Sequence, residues 1–316
     1  MEKSKKIFPH ESDALFLTDG GLETTLIFLE GFDLPYFAAF DLLKSENGYN
    51  AIKDYYRRYL KIAKEYETNF ILESPTWRAN ADWIQKIGYS GNAVSVLNEK
   101  AIKLLVDLKT EFTNDQNSIL ISGCIGPRGD GFVPENEMNI EEAQHYHSEQ
   151  IGVLSQTPVD LISALTLNYV EEAIGITRAA NSVDLPVVIS YTLETDGQLP
   201  SGMSLKDAIE KVDESVAVRP LYYMINCAHP THFFNELLEN KNEKWVKRIK
   251  GIRANASCKS HAELDDSITL DRGVPTELGK EYKALKNYFA NLNVFGGCCG
   301  TDEAHILEIL KQLKKM

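Results

Sequence analysis

The sequence predicts an α/β chain folded as a single (β/α)8 barrel of the TIM type over residues 1–316, and three observations carry that reading. Eight short apolar, β-branched runs recur along the chain. Stretches with helical spacing of apolar residues separate them. Residues with chemical capacity fall just after the runs, at the C-terminal strand ends where barrels of this kind build their sites. A doubly wound open sheet is the alternative, because alternation alone does not show closure.

The runs occupy residues 15–18, 69–72, 119–122, 159–162, 186–190, 222–225, 249–252 and 293–295. Continuous apolar runs of this length suit strands buried on both faces, as in a parallel sheet. Residues 49–67 carry Ile52, Tyr55, Tyr56, Tyr59, Ile62 and Ala63 at helical spacing, and 92–112 carry Val96, Leu97, Ala101, Leu104, Leu105 and Leu108. A helix is expected over 204–218, where Ser204 and Asp207 resemble a capping pair, and another from Thr301-Asp302 to the C-terminus. Loops with Gly129-Asp130-Gly131 and Asp196-Gly197 read as ordinary connections, and no linker or repeat divides the chain.

Hydrophobic residues make up 43% and charged residues 25%, ordinary values for a globular chain. The net charge of −13 argues against nucleic acid, which needs a basic footprint. No apolar segment approaches the roughly 20 residues that span a bilayer, and the N-terminus shows no secretory core. A cytoplasmic protein without membrane contact is expected, its oligomeric state open. Five cysteines in such a chain favour metal or catalytic use over a disulfide framework.

Three of those cysteines carry the chemistry. Cys298 and Cys299 are adjacent within Gly296-Gly297-Cys298-Cys299-Gly300, and Cys227 lies upstream in Asn226-Cys227-Ala228-His229-Pro230. A bridge between Cys298 and Cys299 would be strained, since neighbouring Cα atoms are about 3.8 Å apart and disulfides want roughly 4.4–6.8 Å. The flanking glycines allow the backbone to leave the strand so that both sulfurs turn to one point. Three thiols with an open fourth position suit Zn²⁺, which takes thiolates at about 2.3 Å. The remaining alternative is a pair of inert buried thiols.

At these residues the chain resembles the homocysteine S-methyltransferase family, which includes betaine-, S-methylmethionine- and S-adenosylmethionine-dependent enzymes. The resemblance runs through nearly the whole chain and includes Asp19-Gly20-Gly21-Leu22-Glu23-Thr24, Gly126-Pro127 and the two cysteine motifs. It implies a Zn²⁺ barrel, with Cys227, Cys298 and Cys299 as ligands, that moves a methyl group from a sulfonium or quaternary ammonium donor to homocysteine and yields methionine. The partners are then two small molecules, a thiol acceptor and a methyl donor. No catalytic residue beyond the metal site is required, because a metal-bound thiol is already deprotonated.

Substrate contacts are expected from Asp19, Gly20, Thr76, Asn255 and Glu263. Asp19 and Gly20 also read as a tight turn. Trp77 of Thr76-Trp77-Arg78-Ala79 offers an aromatic wall for a methylated cation, or a packed rim. His229 is expected to be structural, His145 and His147 solvated, and Cys124 and Cys258 free of metal. The chain departs from the family at Leu165, which stands where many members carry a glutamate for the substrate ammonium. Glu263 or Asp265 could supply the missing charge. The departure keeps other readings open: a different thiol or selenol acceptor, such as selenohomocysteine or selenocysteine, or a non-catalytic barrel responsive to zinc or redox state.

Overall fold

The structure is a computed structural model that describes residues 6–114, 117–134, 137–265, 267 and 269–315, without the side chain of Asp265. Eight parallel strands close in sequence order: β1 (Phe16–Leu17), β2 (Asn69–Glu73), β3 (Ile119–Ile125), β4 (Leu161–Leu167), β5 (Val187–Tyr191), β6 (Tyr223–Asn226), β7 (Ile249–Ala254) and β8 (Val294–Gly297). Closure is made at β1, where Phe16 is in register with Asn69 of β2 on one side and Val294 of β8 on the other.

The period-2 geometry of a strand sorts the apolar runs into two cores. Phe16, Ile71, Leu120, Leu161, Val188, Met224 and Val294 form one cluster, with Cys124 and Leu165 among them. Their chain neighbours Leu17, Phe70, Leu72, Ile119, Ile121, Ile162, Val187, Ile189 and Ile225 belong to the other, shared with the helices. The first set fills the barrel and the second glues the helical ring to its outside, as closed small barrels require.

The ring follows the chain. A short turn α1 (Leu22–Thr24) precedes α2 (Glu46–Glu65), α3 (Ala81–Ile87), α4 (Ala93–Phe112), α5 (Ile140–Ser155), α6 (Val170–Asn181), α7 (Leu205–Ser215) and α8 (Pro230–Glu239). After these come α9 (Lys244–Lys247), α10 (His261–Asp265), α11 (Pro275–Tyr288) and α12 (Glu303–Lys314). Their starts are chemically marked. Ser45 Oγ accepts from Gly48 N, Ser204 Oγ from Asp207 N, and Asn139 with Glu142 closes a capping box.

Two expectations change. β4 runs on to Leu167, beyond the apolar run at 159–162, because Ser163 and Thr166 are held by partners inside the barrel. His147 is buried, not solvated: its Nε2 lies 2.8 Å from Glu172 Oε1 on α6. The i, i+2 argument concerned one helix face and was blind to the neighbouring helix. His145 is exposed, as expected.

The N-terminal segment crosses the floor of the barrel, with Phe8 packed against the inner core. Buried Asn293 fixes it: its Nδ2 donates to the carbonyls of Pro9 (2.8 Å), Ser12 (2.8 Å) and Ala14 (3.2 Å). Removing one donor that serves buried carbonyls costs about 1–3 kcal/mol. Asn293→Leu is therefore expected to destabilise the protein by about 2 kcal/mol in urea unfolding with the cavity at the opposite end intact, and an unchanged midpoint would refute this role of the segment.

Candidate metal centre and cavity

At the C-terminal ends of the strands lies a cavity of about 430 Å³. Its wall includes Asp19, Gly20, Glu23, Glu73, Trp77, Arg78, Leu165, Arg253 and Asn255, together with Cys227, Cys298 and Cys299. The three cysteine sulfurs lie within 4.8 Å of one another, and among the described residues this is the only such group of potential ligands. Around a tetrahedral ion with Zn–S bonds of about 2.3 Å, sulfurs sit roughly 3.8 Å apart, so the set has the span that one zinc ion needs. The Cys227 and Cys298 sulfurs lie against each other, with Cα atoms 5.4 Å apart, and bind an ion only as reduced thiolates. Cys299 is the third sulfur.

Local backbone geometry produces the convergence. Cys227 has φ 53°, a left-handed conformation rare outside glycine, and so turns abruptly off the end of β6. Beyond β8 the chain breaks from strand geometry at the cysteine pair. Thr301 N (3.1 Å) and Oγ1 (2.7 Å) donate to Cys298 O, and Cys298 N donates to Ala254 O at 2.8 Å. Gly300 (φ 79°) then donates to Thr24 Oγ1 at 3.2 Å, so the turn after β1 holds the cysteine turn. Gly296 sits so close to Thr18 Oγ1 that a Cβ would overlap it.

Asn226 joins these pieces and sequence reasoning missed it. Its Oδ1 accepts from Thr166 N (2.9 Å) and Ser190 Oγ (2.6 Å), and its Nδ2 donates to Thr166 Oγ1 (2.8 Å) and lies 4.0 Å from Cys298 Sγ. Thr166 also has positive φ, 63°, where the β4–β5 register shifts. One buried amide thus locks the β4 irregularity and faces a cysteine sulfur. The signal available in sequence was its place immediately before Cys227.

A buried ion pair lies beside the cluster. Arg253, on β7, donates through Nη2 to Asp19 Oδ1 at 2.8 Å and through Nε to Gly297 O at 3.2 Å. Tyr55 donates to the other Asp19 oxygen at 3.0 Å. Burial works against the Arg253 charge, but Asp19 and Glu73 outweigh it and leave its pKa raised. Among the described residues, neither Arg253 Nη1 nor Glu73 Oε2, both buried, has a hydrogen-bond partner. Arg78 stacks between two indoles, its guanidinium 4.3 Å from the Trp77 ring and 3.7 Å from Trp83. Burial lowers its pKa to about 10, so it remains a cation at neutral pH. Burial pushes Glu23 up to about 7, and Asp19 adds to that.

The expected substrate residues divide. Asp19, Gly20 and Asn255 line the cavity. The Asp19 carboxylate, however, is already engaged by Arg253 and Tyr55. Asn255 Nδ2 donates to Cys227 O at 3.0 Å, and its buried Oδ1 has no partner among the described residues. Thr76 is outside the wall: fully buried, it donates to Cys124 O at 2.6 Å and props β3. Glu263 is exposed and its carboxylate accepts from Ser260 N and Oγ, both at 2.9 Å, so it caps its own helix. The Asp265 side chain falls outside the described residues. Trp77 lines the cavity and donates to Leu165 O at 3.1 Å. His229 turns away from the sulfurs: it caps α8, accepting from Thr231 N, and burial lowers its pKa to about 4. Cys124 lines the cavity outside the cysteine cluster, and Cys258 is exposed. No described helix is long and apolar enough to cross a membrane.

Known proteins are similar to this chain over most of its length. Residues 16–313 match the family model for homocysteine S-methyltransferase. The chain is 21% identical over 270 residues to a betaine–homocysteine S-methyltransferase 1 of Danio rerio and 20% identical over 280 residues to that of Rattus norvegicus. Each alignment covers 83% of this chain and 64% of the relative, so the chain spans a little under two thirds of these relatives' length. The homocysteine methyltransferase MmuM of Escherichia coli superposes with a TM-score of 0.75 in its oxidized form and 0.74 in its metallated form, at 16% identity. These pairs cover 96% and 97% of this chain, respectively, and 97% of MmuM, and show a common fold. With the family match extending over nearly all its length, the chain belongs to the homocysteine S-methyltransferase family.

Proposed function

We propose that this protein is a zinc-dependent S-methyltransferase that moves a methyl group from a sulfonium or quaternary ammonium donor to the thiol of homocysteine, giving methionine. One observation supports it above the rest: sulfurs from the ends of β6 and β8 gather within 4.8 Å in the wall of a substrate-sized cavity. Cys227, Cys298 and Cys299 would hold the ion. Zinc bound there supplies a Lewis acid that keeps the acceptor thiol deprotonated near neutral pH.

The chain's own residues do the rest. Asn226 Nδ2 faces Cys298 Sγ and steadies that ligand's orientation. Asp19, with Arg253, holds the β1 turn against β8 and fixes the cavity beside the sulfurs. Trp77, Phe132 and Leu165 present apolar surface that excludes water from an onium methyl group. The acceptor sulfur forms the new S–CH₃ bond as the donor's C–S or C–N bond breaks. The donor leaves as a neutral thioether or tertiary amine, and the acceptor proton goes to solvent.

Leu165 in the wall favours a second reading, a different thiol or selenol acceptor on the same metal site. Incubating zinc-loaded protein with homocysteine and each donor class, followed by mass spectrometry, separates them. Methionine from one donor supports the first reading. Its absence with every donor, at full zinc content, overturns it.

Two further outcomes are expected. Cys298→Ser should lower zinc content well below one per chain and reduce turnover by at least about 10²-fold, while circular dichroism stays unchanged; full activity in zinc-depleted Cys298→Ser would refute the ligand role. Removing the metal from wild type with a chelator should abolish transfer and lower Tm, and zinc should restore both, because a ligand bound only by the folded state adds stability. A Tm indifferent to chelator and zinc would refute the site.

A further inference from the structure

The charges in the cavity wall do not all find partners. Asp19 is paired with Arg253 at 2.8 Å. Asp130 lies 3.9 Å from Arg78, and Asp271 takes Ser257 Oγ at 2.8 Å and Lys259 at 3.4 Å. Glu73, 4% exposed, has no Lys, Arg or His within salt-bridge distance among the described residues, but it is buried inside the barrel and accepts from Ser163 Oγ at 3.0 Å. Glu23 is different. It lines the cavity, yet among the described residues no Lys, Arg or His comes within salt-bridge distance of its carboxylate. Its chain neighbours bring it to the cysteines: Thr24 Oγ1 receives Gly300 N, and Gly21 packs against Cys298 O. The wall formed by β4 offers Leu165 and Thr166, neither of them charged.

We propose that Glu23 is the specificity residue for the acceptor, its carboxylate receiving the ammonium of an α-amino thiol whose sulfur lies at the cysteine cluster. This deepens the methyltransferase reading and rests on it. The donor's onium is the poorer partner on physical grounds. Its positive charge disappears during transfer, so a carboxylate against it would be lost in the transition state and slow the reaction. An ammonium keeps its charge throughout. Burial and the neighbouring Asp19 raise the Glu23 pKa to about 7, so a cation that pairs with it also relieves an unfavourable charge.

The test uses zinc-loaded wild type, Glu23→Gln and Glu23→Asp, with calorimetric binding of homocysteine and of 4-mercaptobutyrate, which has the same chain length and no ammonium. Expected are a Kd for homocysteine raised roughly 30-fold in Glu23→Gln, an unchanged Kd for 4-mercaptobutyrate, and partial recovery in Glu23→Asp. In turnover the change falls on the KM for homocysteine, with kcat and the donor KM little altered. Equal losses for both thiols, no loss for either, or a shift confined to the donor KM would overturn the assignment of Glu23. Wild type that binds homocysteine through the ammonium but yields no methionine with any donor would overturn the proposed reaction and leave the Glu23 contact standing. Wild type that binds neither thiol would overturn both.

Discussion

The mouth of this barrel depends on one buried arginine. Arg253 reaches from β7 to Asp19 after β1 and to Gly297 O on β8, so three strand ends meet in a single side chain. The cysteine turn is built on that junction. A buried ion pair is seldom worth more than a well-packed apolar replacement, but losing one partner strands a charge at about 3–5 kcal/mol. The pair therefore gives the site its geometry more than it gives the fold its stability. It also occupies the carboxylate that would otherwise be the obvious cation site in the β1 turn.

That occupation alters how the cavity recognises charge. With Asp19 paired, Glu73 buried against Ser163 and Leu165 apolar, the more open carboxylate that faces the cavity without a cation among the described residues is Glu23, two residues beyond the Gly-Gly turn. Arg78, held between Trp77 and Trp83, keeps a second cation in the wall. The cavity is a mixed field, suited to ligands that carry both signs of charge.

Much of this was legible in the sequence. The eight runs mapped onto eight strands because strands buried on both faces must be continuously apolar, and parallel strands must be separated by helices. The helices expected over 92–112 and 204–218 are α4 and α7, the latter stopping at Ser215, because their apolar spacing and capping chemistry are local. The three cysteines were identified from strand-end position, and they do lie together. What was not legible depended on tertiary pairing. Thr76 faces β3 and Glu263 caps its own helix, and nothing in a linear chain says which way a loop side chain turns. Asn226 and Arg253 had no role assigned from the sequence, because their partners lie on other strands. His147 was misjudged because its partner, Glu172, sits on another helix.

Trp77 lies against glycine on two sides. A Cβ at Gly126 would come within 2.5 Å of its indole nitrogen, and one at Gly131 within 3.3 Å of its six-membered ring. The indole is thus cast into the wall, and even a methyl group behind it would push it into the space a substrate needs. Divergence among descendants of this chain has little room on that side of the cavity. New preferences have to be written instead into other side chains of the wall, such as Glu23 and Leu165.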